Sequence, residues 1–251
     1  MTDHIVITDD NATRIIRMNR GDKKNALTQG MYRAMASAIN SAQDDAAVRC
    51  LVISGGGSVF TAGNDLDDFL KAGRGEAERP GAAFEFLSAL ALNAKPLVGA
   101  VEGIAIGVGT TMLFHCDHVL ASATATFSTP FIQLGLVPEA ASSLLAPRVM
   151  GHQRAFAMLA MGRAMSAAEA QAAGFVNAIV DPGSAEAEAR KVALEISALP
   201  AEAMAICRRL LRSSSDETLK RIAEEGSLFG ERMKSDEAIA AFNAFFTRKK
   251  T

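Results

Sequence analysis

The residues of this chain best suited to chemistry are a set of glycines and one glutamate within Pro96–Glu139, PLVGAVEGIAIGVGTTMLFHCDHVLASATATFSTPFIQLGLVPE. Gly103, Gly107 and Gly109 follow an apolar run, Pro96–Val101, and lead into the apolar-rich Thr110–Phe114. That order predicts a buried strand, a tight turn and a helix. Glycines let backbone come close to a ligand, and a new helix points free N–H groups at it, so the turn favours an anion. Pro138-Glu139 opens a further predicted helix and supplies a lone carboxylate. The same residues also suit plain turn and packing positions, with Glu139 an ordinary acid in a helix first turn. The pattern alone leaves both readings open.

Other chemistries find less support. The four histidines are His4, His115, His118 and His152. His115, Cys116, Asp117 and His118 carry metal-ligating types, but neighbours at a helix-to-strand junction cannot converge on one ion, so no metal site is predicted. There is no Gly-X-Ser-X-Gly elbow for a serine nucleophile. The spacing Gly103-X-X-X-Gly107-X-Gly109 matches neither the phosphate-loop pattern nor the dinucleotide fingerprint. What remains is backbone donors plus one carboxylate.

The elements that must position them can be read along the chain. At 251 residues, 49% of them hydrophobic, the chain suits one sizeable α/β domain or a domain with an appendage. A net charge of −2, with no basic block, argues against nucleic acid or an anionic membrane surface. Three isolated cysteines, Cys50, Cys116 and Cys207, suit a reducing compartment. MTDHIVITDD has no signal-peptide pattern, and no apolar run is long enough to span a bilayer, which predicts a cytoplasmic protein. His4–Thr8 and Thr13–Met18 read as a hairpin. Thr28 caps a helix to about Ala46, with Met31, Met35, Ile39 and Ala42 on its core face. Cys50–Ser54 is a buried strand. Val59–Leu70 holds a second glycine turn leading into a short helix, Lys71–Pro80 a mobile loop, and Gly81–Asn93 a helix. Further helices are expected at about Glu139–Met150 and His152–Met161. Ser166-Ala-Ala-Glu169 is a capping box, and Phe175–Val180 a strand. Helices at about 185–198, 201–213, 216–230 and 235–247 end the chain. Strand–helix alternation implies parallel pairing, and the partly apolar tail AIAAFNAFF is expected to pack on its own core or on a neighbouring subunit.

Five segments, NRGDKKNAL, SGGGSVFTAGNDLDDF, AVEGIAIGVGTTMLFHCDHVLAS, FSTPFIQLGLVPEAASS and MSAAEAQAAGFVNAIV, stand in one order. In that order and spacing the chain resembles the crotonase (enoyl-CoA hydratase/isomerase) superfamily, strongly over about residues 4–200. The resemblance implies an α/β fold, a spiral of ββα turns around two roughly perpendicular sheets. It implies a core at 1–199 holding an acyl-CoA site, and a C-terminal helical region at 200–251 involved in forming a homotrimer or a dimer of trimers. The partner is an acyl-CoA thioester, with coenzyme A part of the substrate and no other cofactor.

The resemblance also implies roles. The thioester oxygen sits between two backbone donors, which fall on Asn64 and Val108. The family commonly has glycine at the second position, which a backbone donor does not need. Two fixed N–H groups oppose the charge of an enolate without reorganising, and one such donor is typically worth about 2.7–4 kcal/mol in the transition state. Lys24 and the Asn25-Ala26-Leu27 segment resemble the loop that contacts coenzyme A, with a solvated lysine the competing reading. Ala62, Gly63 and Leu66 offer backbone contacts to the adenine–pantetheine arm, and Gly107 lies in the glycine-rich loop of the acyl site. Asp65 adjoins this substrate-binding turn and suits the cap of the helix that follows.

Hydratases of the family carry two glutamates that activate water; here those positions hold Thr111 and Phe131. The motif TPF…GLVPE…SS is instead similar to the Δ3,Δ2-enoyl-CoA isomerases, in which the glutamate after proline, here Glu139, is the acid/base. GNDL is typical of an isomerase-like branch. Phe131 fits, because a dry pocket discourages hydration and raises a glutamate's pKa. The expected activity is isomerisation of a 3-enoyl-CoA to the 2-enoyl form. A hydratase or other crotonase reaction, and an acyl-CoA binding module without turnover, are the alternatives.

Overall fold

The computed structural model describes residues 3–65, 67–68, 71, 81–212 and 214–248. Leu66 lies outside them, as does the loop expected over Lys71–Pro80 apart from Lys71. The strands, in chain order, are β1 (Ile5–Asp10), β2 (Thr13–Met18), β3 (Cys50–Gly55), β4 (Leu97–Val101), β5 (Ile104–Ile106), β6 (His118–Ser122), β7 (Thr126–Ser128), β8 (Met165–Ser166) and β9 (Ala178–Val180). The helices are α1 (Gln29–Gln43), α2 (Gly81–Leu92), α3 (Val108–Thr111), α4 (Ser142–Met150), α5 (His152–Leu159), α6 (Ala167–Ala172), α7 (Ala185–Ala198), α8 (Ala201–Leu211), α9 (Ser215–Arg232) and α10 (Asp236–Arg248).

Strands of unbroken apolar sequence are those a sheet can bury on both faces. In the larger sheet β3, β4 and β6 are buried in this way; its order is β1-β2-β3-β4-β6-β9, with β1 antiparallel to β2 and the rest parallel. Its register sets Ile15 beside Val52 and Val52 beside Val98, a row that packs with Ala185, Ala189 and Ala193 of α7. The alternate residues Ile16, Leu51, Ile53, Leu97 and Val101 join a second, larger core with Met31, Met35 and Ile39 of α1 and Phe86 of α2. Thr28 caps α1 by accepting from the Met31 N–H (3.3 Å), and the methionine face is buried as expected. The smaller sheet is β5-β7-β8. It matters more to function, because residue 61 bridges to β5 and residue 64 to Leu27, tying three loops together.

Several expectations are corrected. Between Gly103 and Gly107 the chain makes the three-residue strand β5 rather than one tight turn; a strand so short and flanked by glycine leaves no periodic signal. The strand expected from Phe175 begins at Ala178, because Phe175 and Val176 turn into the core. The helix expected from Glu139 begins at Ser142. Ala140 and Ala141 have left-handed φ of 62° and 54°, which keeps Glu139 out of the helix that follows. Glu139 is therefore not a helix first-turn acid. The tail packs on its own chain: Ala238 of α10 is buried with Phe131 and Leu136, beside Phe229, Met233 and Phe242. On α8, Leu210 and Leu211 remain exposed.

Candidate active site

The first half of the site is the turn after β3. Thr61 N–H donates to Ile104 O (3.1 Å), and Ile106 N–H donates back to Thr61 O (3.1 Å). Gly63 has φ of 85°, and a Cβ there would lie 2.7 Å from Ile106 O. Only glycine lets this turn press so closely on β5. Leu27 N–H donates to Gly63 O (2.8 Å), and Asp65 N–H donates to Leu27 O (3.0 Å), a bridge that turns the intervening Asn64 N–H the other way. The second half is the start of α3. Gly107, with φ of 58°, donates to Ser128 O (2.8 Å), and its carbonyl accepts from the Thr110 and Thr111 N–H groups. The Val108 N–H precedes the first intrahelical bond. A Cβ on Gly109 would lie 2.4 Å from Thr61 Cγ2, so the two turns are in contact.

Glu139 stands beside them. The Thr111 hydroxyl donates to Glu139 Oε1. The residue keeps some exposure, but its carboxyl group is enclosed by protein. Burial pushes its pKa up to about 8; the Thr111 hydrogen bond lowers it in part, and the charge of Glu225 adds to the rise. Tyr32, buried on α1, lies within reach of this carboxylate's charge and bonds to the first turn. Its hydroxyl donates to Asn64 Oδ1 (2.6 Å), and burial together with the nearby Glu139 charge holds its own pKa well above the ordinary value. Glu139 and Thr111 are thus one bonded pair and Tyr32 and Asn64 another, with the Glu139 charge felt at Tyr32.

The turn carrying Glu139 is anchored from behind. His115 is buried, and burial lowers its pKa to about 4, so it is neutral. Its Nε2 donates to Ala140 O (2.8 Å), which assigns the ring proton to that nitrogen. Phe131, at the second hydratase position, is buried and lies against Gly107: a Cβ on that glycine would sit 3.8 Å from Phe131 Cε1.

The remaining predicted residues sit around the first turn. Lys24 is exposed, with φ of 51°, and its carbonyl accepts from the Ala62 N–H (2.9 Å). The Ala26 carbonyl accepts from Arg20 Nη1 (2.9 Å). Asn25 is buried and reaches Gly56, Val59 and Phe60 carbonyls through its amide nitrogen, clamping this loop to the turn. Asp65 has both oxygens engaged within the protein. One accepts from the Asp67 N–H (3.0 Å) and the Asp68 N–H (3.4 Å), and the other from Arg20 (2.6 Å). It is a cap and an ion-pair partner. Among the described residues no group of histidine, cysteine, aspartate or glutamate could hold a metal ion. The supporting roles of Tyr32, His115 and Glu225 were not apparent from sequence, since a single buried polar residue carries no periodic or motif signal.

Two glycine-bearing turns in contact, with one carboxylate of raised pKa beside them, stand on an α/β scaffold of mostly parallel strands. The chain belongs to the enoyl-CoA hydratase/isomerase family, whose model matches residues 8–251. Within that crotonase superfamily, several of its relatives carry the name enoyl-CoA delta isomerase. The chain is 37% identical over 98% of its length to enoyl-CoA delta isomerase 2 of Rattus norvegicus, of which it spans 64%, just under two thirds. It is 35% identical to the peroxisomal enoyl-CoA delta isomerase 3 of Mus musculus, matching 98% of this chain and 78% of that one. The solved structure of Pseudomonas aeruginosa OdaA superposes with a TM-score of 0.91 at 40% identity, over 97% of this chain and 99% of that one. The superfamily and fold expected from the five motifs therefore hold.

Proposed function

We propose that the protein is an acyl-CoA Δ3,Δ2-isomerase, moving the double bond of a 3-enoyl-CoA to the 2-position. The thioester oxygen accepts from the Asn64 and Val108 N–H groups. Glu139 takes the C2 proton, the charge moves onto that oxygen, and the protonated Glu139 returns the proton at C4 of the dienolate. One base suffices, because the proton removed and the proton delivered are balanced on the same carboxyl. The observation that carries this reading is an enclosed glutamate whose pKa of about 8 lets it both accept and donate near neutrality, while Thr111 and Phe131 hold the hydratase positions. Lys24, Ala26, Ala62, Gly63 and Gly107 then line the path of the coenzyme A arm and the acyl group.

The same reading uses no metal or redox cofactor, and coenzyme A enters only with the substrate. It takes residues 1–199 as the unit that holds the substrate and 200–251 as a helical region that assembles a homotrimer or a dimer of trimers. It takes the cytoplasm as the place of action, in fatty-acid metabolism. The test is turnover of a 3-enoyl-CoA to its conjugated 2-enoyl isomer by wild type and by Glu139→Gln. Fast conversion that collapses in the variant, with acyl-CoA affinity kept, is the expected result. Equal rates would remove Glu139 from the mechanism, and binding without conversion by wild type would leave a binding module or a different crotonase reaction.

A further inference from the structure

The left-handed pair Ala140–Ala141 is unfavourable for residues with a Cβ, so something must hold it. On one side His115 holds the Ala140 carbonyl. On the other stands Glu225, in the middle of α9. Glu225 Oε1 accepts from the Ser143 N–H (3.0 Å) and from the Ser143 hydroxyl (2.6 Å). Arg221, one turn earlier on α9, donates to that same hydroxyl (2.9 Å) and pairs with Glu224 (3.0 Å). Glu225 is 5% exposed, an unusual place for a glutamate, and a carboxylate taken from water needs a reason in the bonds it makes. Those bonds go to the first turn of α4, four residues after Glu139. Glu225 belongs to the C-terminal helices, whereas Glu139 and Thr111 belong to the core.

Resting on the isomerase reading above, we propose that Glu225 is a positioning residue for the acid/base: by holding Ser143 it locks the Ala140–Ala141 turn and aims Glu139 at Thr111. The C-terminal helices thereby complete the active site rather than only covering it. A merely structural glutamate would stabilise α9 against α4 without affecting Glu139. A positioning carboxylate does more, because its bonds to Ser143 fix the turn that aims Glu139, and its charge adds to the rise in the Glu139 pKa. The groups that bear on Glu139 are Tyr32 from α1, Thr111 from α3 and Glu225 from α9 with its Arg221 neighbour.

Two variants of the full chain test this. Glu225→Ala removes the acceptor, lets the turn relax, and is expected to lower kcat about 10- to 100-fold with KM little changed, the scale of a small misplacement of a catalytic group. Glu225→Gln keeps an oxygen for Ser143 and removes the charge. It is expected to restore most of kcat and to move the acid limb of the kcat–pH profile down by about half a unit to one unit, since a neighbouring negative charge has gone. A wild-type kcat in Glu225→Ala would overturn the proposal, as would a loss carried by KM or a Glu225→Gln variant as slow as Glu225→Ala. Where Glu225→Ala fails to fold, the Gln variant with a ¹³C-carboxyl titration of Glu139, assigned by Glu139→Gln, stands in. A downward shift supports the proposal and an unmoved titration overturns it. That titration needs no turnover, so it separates failure of this proposal from failure of the isomerase reading, which shows as no conversion of 3-enoyl-CoA by wild type.

Discussion

Asp65 and Glu139 are two carboxylates beside the same pair of turns, and their surroundings drive them in opposite directions. Burial disfavours the charge of Asp65, but Arg20 and the amides of Asp67 and Asp68 more than offset it, so its pKa lies below the ordinary value. Glu139 has the hydroxyl of Thr111 and the distant charge of Glu225 in place of a cation, and burial takes it to about 8. The one is fixed as an anion and serves the scaffold. The other is poised to exchange a proton near neutral pH. Environment, not residue type, separates a carboxylate that holds a turn from one that can run chemistry.

The largest test of this contrast is Glu139→Gln. Loss of the proton carrier should lower turnover by about 100- to 10,000-fold. The same change should stabilise the fold. A carboxyl whose folded pKa is raised from 4.5 to about 8 keeps its proton where the unfolded chain has lost it, so its contribution to stability falls as pH rises through that window. Glu139→Gln removes this penalty, with an upper limit of roughly 4–5 kcal/mol above pH 8 and nothing near pH 4. Thermal denaturation of both proteins at the two pH values measures it. A gain in Tm independent of pH would break the comparison. Below this in size is Gly63→Ala, which drives a methyl into Ile106 O at a φ of 85° and displaces the Asn64 N–H. Its kcat should drop about 100-fold, the scale of one lost oxyanion donor, with an unchanged circular dichroism spectrum.

Thr111→Val acts on Glu139 alone. The hydroxyl is the bond that lowers the Glu139 pKa, so its removal should carry the acid limb of kcat/KM upward, by about one unit, and cost about tenfold at neutral pH. A pH–rate profile decides it: a limb that stays in place means Thr111 does not touch the working carboxylate.

How much of this was legible in sequence follows from where the signal lies. The apolar runs of β3, β4 and β6 and the periodic methionine face of α1 are patterns that survive without coordinates. Both glycine turns and Glu139 stand in motif segments, so the residues the proposed reading relies on could be picked out from sequence. The local state of Glu139 was not. Pro138-Glu139 reads as a helix start, whereas two alanines in left-handed conformation delay that start to Ser142. Alanine is a strong helix former, so tertiary surroundings set this turn, among them the bonds of His115 to Ala140 and of Glu225 to Ser143. Glu224 and Glu225 are indistinguishable in sequence, yet the side chain of Glu224 is 63% exposed and Glu225 is buried. That distinction is made by α4 docking on α9, which no local pattern records.

The smallest effect is at the other carboxylate. Asp65→Asn leaves Arg20 without its charged partner and weakens the cap at Asp67 and Asp68. Hydrogen bonds to a charged group of this kind contribute about 1.5–3 kcal/mol, so unfolding at pH 7 should show a loss within that range. The sign with pH is the reverse of Glu139→Gln. The folded pKa of Asp65 is lowered, so its stabilisation is present above the ordinary value of 3.8 and is lost as pH falls through the lower folded value. Wild type and Asp65→Asn should therefore converge in acid, where wild type and Glu139→Gln also converge, and part in opposite directions as pH rises. Turnover should change far less than in Glu139→Gln, because both Asp65 oxygens are engaged by Arg20 and the Asp67 and Asp68 amides. A collapse of kcat in Asp65→Asn with stability intact would give Asp65 a chemical role and dissolve the division between the two carboxylates.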